Sequence, residues 1–67
     1  MTIYKIIELV GRSPTSWEDA VQSAVAEASK TIRNIVRVSC EEFDVKIEND
    51  KVVTYRVRVK LIFEIER

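Results

Sequence analysis

The sequence predicts an α+β chain of order β-α-β-β, in which a three-stranded antiparallel sheet wraps around one helix. Three observations predict it. Residues 2–10 are rich in β-branched and aromatic side chains and stop at Gly11, the only glycine. From Trp17 onward, apolar residues recur at steps of three and four. From Val53 to Ile65 they alternate strictly, and Asn49-Asp50 separates this run from an earlier strand-like segment. With 67 residues there is room for one domain, spanning 1–67, and no repeat or linker divides it.

In the first strand, Thr2 to Val10, Ile3, Ile7 and Leu9 share one face with Lys5, while Tyr4, Ile6 and Val10 share the other with Glu8. Both faces are largely apolar, as suits a strand covered on both sides. Gly11-Arg12-Ser13-Pro14 reads as a connector. Thr15-Ser16-Trp17-Glu18 then fits a capping box with Thr15 at the N-cap, and Ser16 with Asp19 fits nearly as well. Glu18 and Asp19 sit in the first turn, where carboxylates favour the helix dipole, and that position explains them without acid–base chemistry. Trp17, Ala20, Val21, Ala24, Val25, Ala28 and Ile32 form one apolar stripe. Its small side chains let the helix approach a sheet closely, and Asn34 falls near the C-terminal cap.

The remaining half reads as a long hairpin, with a first strand from about Ile35 to Glu48 and a turn at Asn49-Asp50, residues that tolerate positive φ. A two-residue turn places Val36 opposite Phe63, Val38 opposite Leu61, Cys40 opposite Val59 and Glu41 opposite Arg58. Nearer the turn the pattern inverts. Phe43 and Val45 fall opposite Arg56 and Thr54, while Glu42, Asp44 and Lys46 oppose the apolar stripe. The apolar side therefore switches around Glu41-Glu42. Either a bulge rotates the strand there, or the tip buries its second face against another subunit.

Composition narrows the chemistry. Eleven basic residues balance eleven acidic ones, which argues against a nucleic-acid binder, since phosphate neutralisation needs a basic excess. There is no His, so no Ser-His or Cys-His couple forms, and one Cys cannot build a disulfide or a zinc site. A single glycine excludes glycine-rich phosphate loops. No apolar run has membrane-spanning length and the first residues lack a signal-peptide layout, so the expectation is a cytoplasmic, non-enzymatic protein. A lone domain this small is marginal without disulfide or metal, which favours self-association.

Glu8-Leu9-Val10-Gly11, Ser13-Pro14-Thr15-Ser16-Trp17-Glu18-Asp19-Ala20, and a last strand opening Thr54-Tyr55 and ending Phe63-Glu64-Ile65 together resemble the dodecin family over nearly the whole chain. That resemblance implies a hollow dodecamer of cubic symmetry built from trimers. It implies flavin, riboflavin or FMN, held in pairs at twofold interfaces and buffered rather than transformed. Some members also bind coenzyme A, and one subgroup binds calcium; the Ser13 to Ala20 stretch is similar to that calcium-associated, Trp-lacking type.

The family's stacking Trp matches Arg37 in Asn34-Ile35-Val36-Arg37-Val38, and its ring-edge Gln matches Arg56 in Tyr55-Arg56. The resemblance thus assigns Arg37, Arg56, Val36, Val38 and Tyr55 to the ligand site. A guanidinium can stack on an aromatic ring, but two facing across a twofold repel and need neutralising. Arg37 and Arg56 therefore either line a site for an anionic ligand or fill the vacated site with salt bridges to Glu41, Glu42 or Glu64. Glu42 matches an acid near the symmetry channel of some relatives and is the candidate Ca²⁺ ligand. Arg56, Arg58 and Lys60 form a basic row, read as a solvated or inter-subunit charged face. The acidic cluster Glu41, Glu42, Asp44, Glu48 and Asp50 fits no calcium loop and is interrupted by lysine. Cys40 reads as a buried, inert thiol, and Trp17 as core or interface packing. Two functions stay open: a homododecamer that binds and buffers a small ligand, with flavin the family default, or a structural or Ca²⁺-binding shell that does not bind flavin.

Overall fold

The computed structural model describes residues 2–65 and gives the order read from the sequence: β1 (Ile3–Ser13), α1 (Trp17–Ala28), β2 (Ile35–Glu48) and β3 (Lys51–Ile65). The sheet is antiparallel throughout, with β3 in the centre between β1 and β2. The most regular alternation in the sequence thus belongs to the strand that pairs on both edges. No helix among the described residues is long and apolar enough to cross a membrane.

β1 runs past the expected end at Val10, because Gly11, Arg12 and Ser13 continue the ladder opposite Val57, Arg56 and Tyr55. The helix begins one residue later than the first capping box implied. Ser16, not Thr15, is the N-cap: it is extended, and its hydroxyl accepts from the Asp19 amide at 3.0 Å. Behind the cap, the buried Ser13 hydroxyl donates to the Asp19 carboxylate at 2.6 Å and accepts from the Thr15 amide at 3.0 Å. Asp19 thus closes the helix start onto β1. The helix stops at Ala28 with Ser29 as C-cap, so Ile32 lies beyond the last turn and Asn34 adopts φ 63° just before β2 instead of capping the helix.

Asn49 and Asp50 both have positive φ, 50° and 63°, which makes the hairpin turn the type whose twist matches its strands. The register then departs from constant two-residue arithmetic in three places. Val53 is an extra residue on β3, and Glu41 and Val36 are extra residues on β2. The first two shifts cancel, so Val38–Leu61 and Cys40–Val59 pair as expected. Between them, Phe43 meets Val57, Val45 meets Tyr55, and Arg58 meets Glu42 rather than Glu41. Beyond Arg37 the third shift puts Ile35, not Val36, opposite Phe63. The switch of apolar side at Glu41-Glu42 is the bulge: it turns Phe43 and Val45 onto the side that Val38 and Cys40 occupy.

Ala20, Val57, Val59 and Leu61 are fully buried, and Leu9, Val21 and Val38 pack against the cluster of Ala20, Ala24, Val57 and Val59. The helix lies over β1 and β3 at close range: a Cβ built on Gly11 would stand 2.4 Å from the Ala20 carbonyl oxygen. β2 is left largely uncovered on this side. Cys40 is accordingly exposed within the protomer, which corrects its expected burial. Tyr4, Ile6 and Val10 on the far face of β1 are 55%, 56% and 60% exposed, so only one face of that strand is covered in the single chain.

Candidate functional site

The face of the sheet turned away from the helix carries the charges. Across β1, β3 and β2 its rows read Ile6–Ile62–Arg37, Glu8–Lys60–Ser39, Val10–Arg58–Glu42 and Arg12–Arg56–Asp44. Period two selects these residues on each strand, and the Glu41 bulge brings Glu42 and Asp44 into line with the arginines. Arg58 is held between two acids, Glu42 at 2.7 Å and Glu8 at 3.0 Å. Glu41, displaced by the bulge, accepts from the Ser39 hydroxyl and lies 3.8 Å from Lys60. The expected Glu41–Arg58 pair is therefore replaced by Glu42–Arg58, and within one protomer the basic row, expected as a solvated or inter-subunit charged face, is partly exposed and ion-paired.

Arg56 grips Asp44 with two parallel bonds, Nε to Oδ1 at 2.8 Å and Nη2 to Oδ2 at 2.6 Å. None of Glu41, Glu42 and Glu64, the partners expected for it, takes that place. The fork geometry is the strongest a carboxylate accepts from a side chain. It holds the Asp44 carboxyl below its usual range and raises the Arg56 guanidinium further. Glu41 is lowered too, mainly by the Ser39 hydroxyl and then by Lys60 and Arg58.

A depressed carboxylate stabilises the folded state above its unfolded pKa and loses that contribution as the pH falls through the folded value. Both carboxylates therefore stabilise the protein at neutral pH, begin to lose that contribution as the pH falls below about 4, the ordinary Asp and Glu range, and lose it fully only below their lowered folded values. Asp44→Asn should unfold at lower urea than the wild type at neutral pH. The two should converge as the pH falls below that range. A gap independent of pH would show that the ion pair is not its source.

Arg37 stands apart. It is exposed, takes part in no ion pair among the described residues, and lines a hollow of about 410 Å³ with Tyr4, Val36 and Ile62. Its row is six residues along β3 from that of Arg56, roughly 20 Å at strand rise, so one protomer does not bring the two arginines together. Val36, pushed out by its bulge, is half exposed beside Arg37. Val38 and Tyr55 face the other way. Val38 packs on the core, and Tyr55 meets Trp17 edge to face at 5.3 Å.

Trp17 also meets Phe43 edge to face at 5.8 Å, and its indole N–H donates to the Asp44 carbonyl at 3.1 Å. Its role is packing, as expected, and that hydrogen bond ties the helix to β2. With Val21, Gln22, Cys40 and Phe43 it lines a second hollow of about 360 Å³. Sequence reasoning passed over Arg12 and Ser13, because Gly11 and Pro14 made their segment look like a connector. The continued alternation Glu8, Val10, Arg12 was the available signal. No group of three potential metal-ligating side chains converges among the described residues, and Glu42 is committed to Arg58.

A family model described as Dodecin matches residues 3–66. The chain belongs to the dodecin family. Among its relatives are the calcium dodecin of Mycobacterium tuberculosis, 34% identical over 96% of this chain and 90% of that protein, and the dodecin of Thermus thermophilus, 36% identical over 96% and 93%. Solved dodecins superpose closely. The Streptomyces coelicolor structure has a TM-score of 0.94 at 33% identity, covering 98% of this chain and 94% of that one. A crystal structure of the M. tuberculosis calcium dodecin, described as calcium-chelating with a novel calcium-binding site, has a TM-score of 0.84 at 33% identity, covering 96% of this chain and 91% of that one. The dodecin fold therefore accounts for the whole sheet and helix described above.

Proposed function

We propose that twelve copies of this chain form a hollow shell that binds and buffers a small ligand without transforming it, and that the ligand is a planar aromatic anion of the FMN type. The observation that carries this reading is Arg37: an exposed guanidinium with no carboxylate partner among the described residues, set on an apolar floor of Tyr4, Val36 and Ile62. A guanidinium stacks on an aromatic plane. Repulsion between two of them across a twofold would be relieved by a ligand that brings negative charge, which favours FMN over neutral riboflavin. Arg56, already gripped by Asp44, holds the sheet face rather than the ring edge. Assembly is supported by ten large apolar side chains left exposed among the described residues of the protomer, against six apolar ones buried.

The test is flavin fluorescence quenching on protein shown by light scattering to be dodecameric. FMN should quench more strongly than riboflavin, and Arg37→Ala should weaken FMN about tenfold, or 1.4 kcal/mol. Arg37→Trp should restore riboflavin stacking. Absence of quenching by the intact dodecamer would discard the flavin reading.

A second reading, a shell that holds Ca²⁺ instead, is favoured by the likeness to the M. tuberculosis calcium dodecin. Since no metal cluster converges among the described residues of one protomer, such a site would draw carboxylates, Glu42 among them, from several subunits. A melting temperature raised by CaCl₂ in colourless protein would support it.

A further inference from the structure

The helix covers only part of the hairpin. Trp17, at the start of α1, stands over Phe43 and Tyr55, and β2 and β3 run on past it to the turn at Asn49-Asp50. Period two carries the core side along this overhang through Val45 and Ile47, and Ile47 pairs across the ladder with Val52. Phe43, Ile47 and Val52 are 55%, 53% and 47% exposed. A contiguous apolar strip left open to water marks an interaction surface.

The far end of the same side is open as well. Ile7 and Leu9 of β1, Ala24 and Ala28 of α1, and Ile32 beyond the helix line a hollow of about 410 Å³. Leu61, the ladder partner of Ile7, lies nine residues along β3 from Val52, roughly 30 Å at strand rise. The tip therefore cannot fill the hollow of its own chain. The edges of the two surfaces match in charge. Glu27 and Lys30 flank the hollow, exposed and paired with each other at 3.0 Å. Asp50 and Lys51 close the hairpin, and neither has an ion pair among the described residues.

We infer that the hairpin tip of one copy seats Ile47 and Val52 in the Ile7–Ala28 hollow of a second copy, with Lys51 meeting Glu27 and Asp50 meeting Lys30. Each surface is apolar at its centre and charged at its edge, as specific interfaces are. Tip and hollow are different surfaces, so the contact runs head to tail and closes copies into a ring, whereas tip against tip would stop at a dimer. The inference rests on the assembly proposed above but not on FMN, because it uses neither Arg37 nor Arg56.

The test follows the native assembly by light scattering through a dilution series, with circular dichroism to confirm that each variant is folded. Ile47→Asp on the tip and Ile32→Asp in the hollow should each raise the concentration at which the assembly dissociates at least tenfold. Lys51→Glu should raise it severalfold, and adding Glu27→Lys to that variant should restore the wild-type value. A wild type that does not assemble would overturn the shell and this contact together. If the wild type assembles, an Ile32→Asp assembly as stable as wild type would overturn the contact alone, whatever Ile47→Asp does. So would a Lys51→Glu defect that Glu27→Lys fails to repair.

Discussion

Gly11→Ala should destabilise the fold by about 2 kcal/mol, although alanine is ordinarily the better residue in a strand. Two opposing effects decide the sign. Removing a glycine restricts the unfolded chain and by itself stabilises by roughly 0.4–1 kcal/mol. Against that, the new methyl would lie 2.4 Å from the Ala20 carbonyl oxygen and 3.1 Å from the Ala24 methyl. Overpacking of this kind costs about 1–3 kcal/mol, toward the upper end where the obstacle is backbone that cannot change rotamer.

The helix would have to lift from β1, loosening the Ala20 and Ala24 contacts and the Ser13–Asp19 bond that anchors the helix start. Gly11→Val should be worse, beyond about 3 kcal/mol. Replacing Ala24 by glycine should not rescue Gly11→Ala, because the shorter contact is to the Ala20 main chain. Urea midpoints for the three variants measure this. A Gly11→Ala protein as stable as the wild type would mean the helix rides further from the sheet than the structure places it.

How much of this was legible beforehand follows from what each feature depends on. β3 and its turn were readable because strict alternation and two residues tolerant of positive φ are local properties. The helix was readable for the same reason, although its last turn was not. Ile32 continues the apolar spacing, but the chain leaves the helix at Ser29. The register was legible only where errors cancel. Extra residues at Val53 and Glu41 displace the pairing in opposite directions, so Cys40–Val59 came out right and Glu41–Arg58 did not. A bulge residue is chosen by the packing of both strands, which no single segment encodes.

The same limit governs the charged site. That Arg56 would find a carboxylate was foreseeable from a strand rich in acids; that it would be Asp44 required the shifted register. Cys40 was misjudged because alternation assigns a side of the sheet, not what covers it. The helix leans toward β1 and β3 and leaves the inner side of β2 open.

Trp17→Ala should be the most damaging exposed-site substitution, at about 2–3 kcal/mol, below the 3–5 of a fully buried tryptophan because the side chain is 40% exposed. It removes two edge-to-face contacts, with Phe43 and Tyr55, worth about 0.5–1.5 kcal/mol each beyond area burial. It also removes the donor to the Asp44 carbonyl. Trp17→Phe separates these effects: it keeps a ring between Phe43 and Tyr55 but no N–H, and should cost about 1 kcal/mol, the worth of one hydrogen bond.

The consequence reaches the far face of the sheet. Trp17 fixes the main chain of Asp44, whose side chain on the other side fixes Arg56. In Trp17→Ala the Asp44–Arg56 fork should therefore loosen, and the neutral-to-acid fall in stability should flatten toward that of Asp44→Asn. Trp17→Phe should keep most of that pH dependence. If Trp17→Ala loses stability but keeps the full acid response, the indole only packs, and the link from helix to charged face is broken.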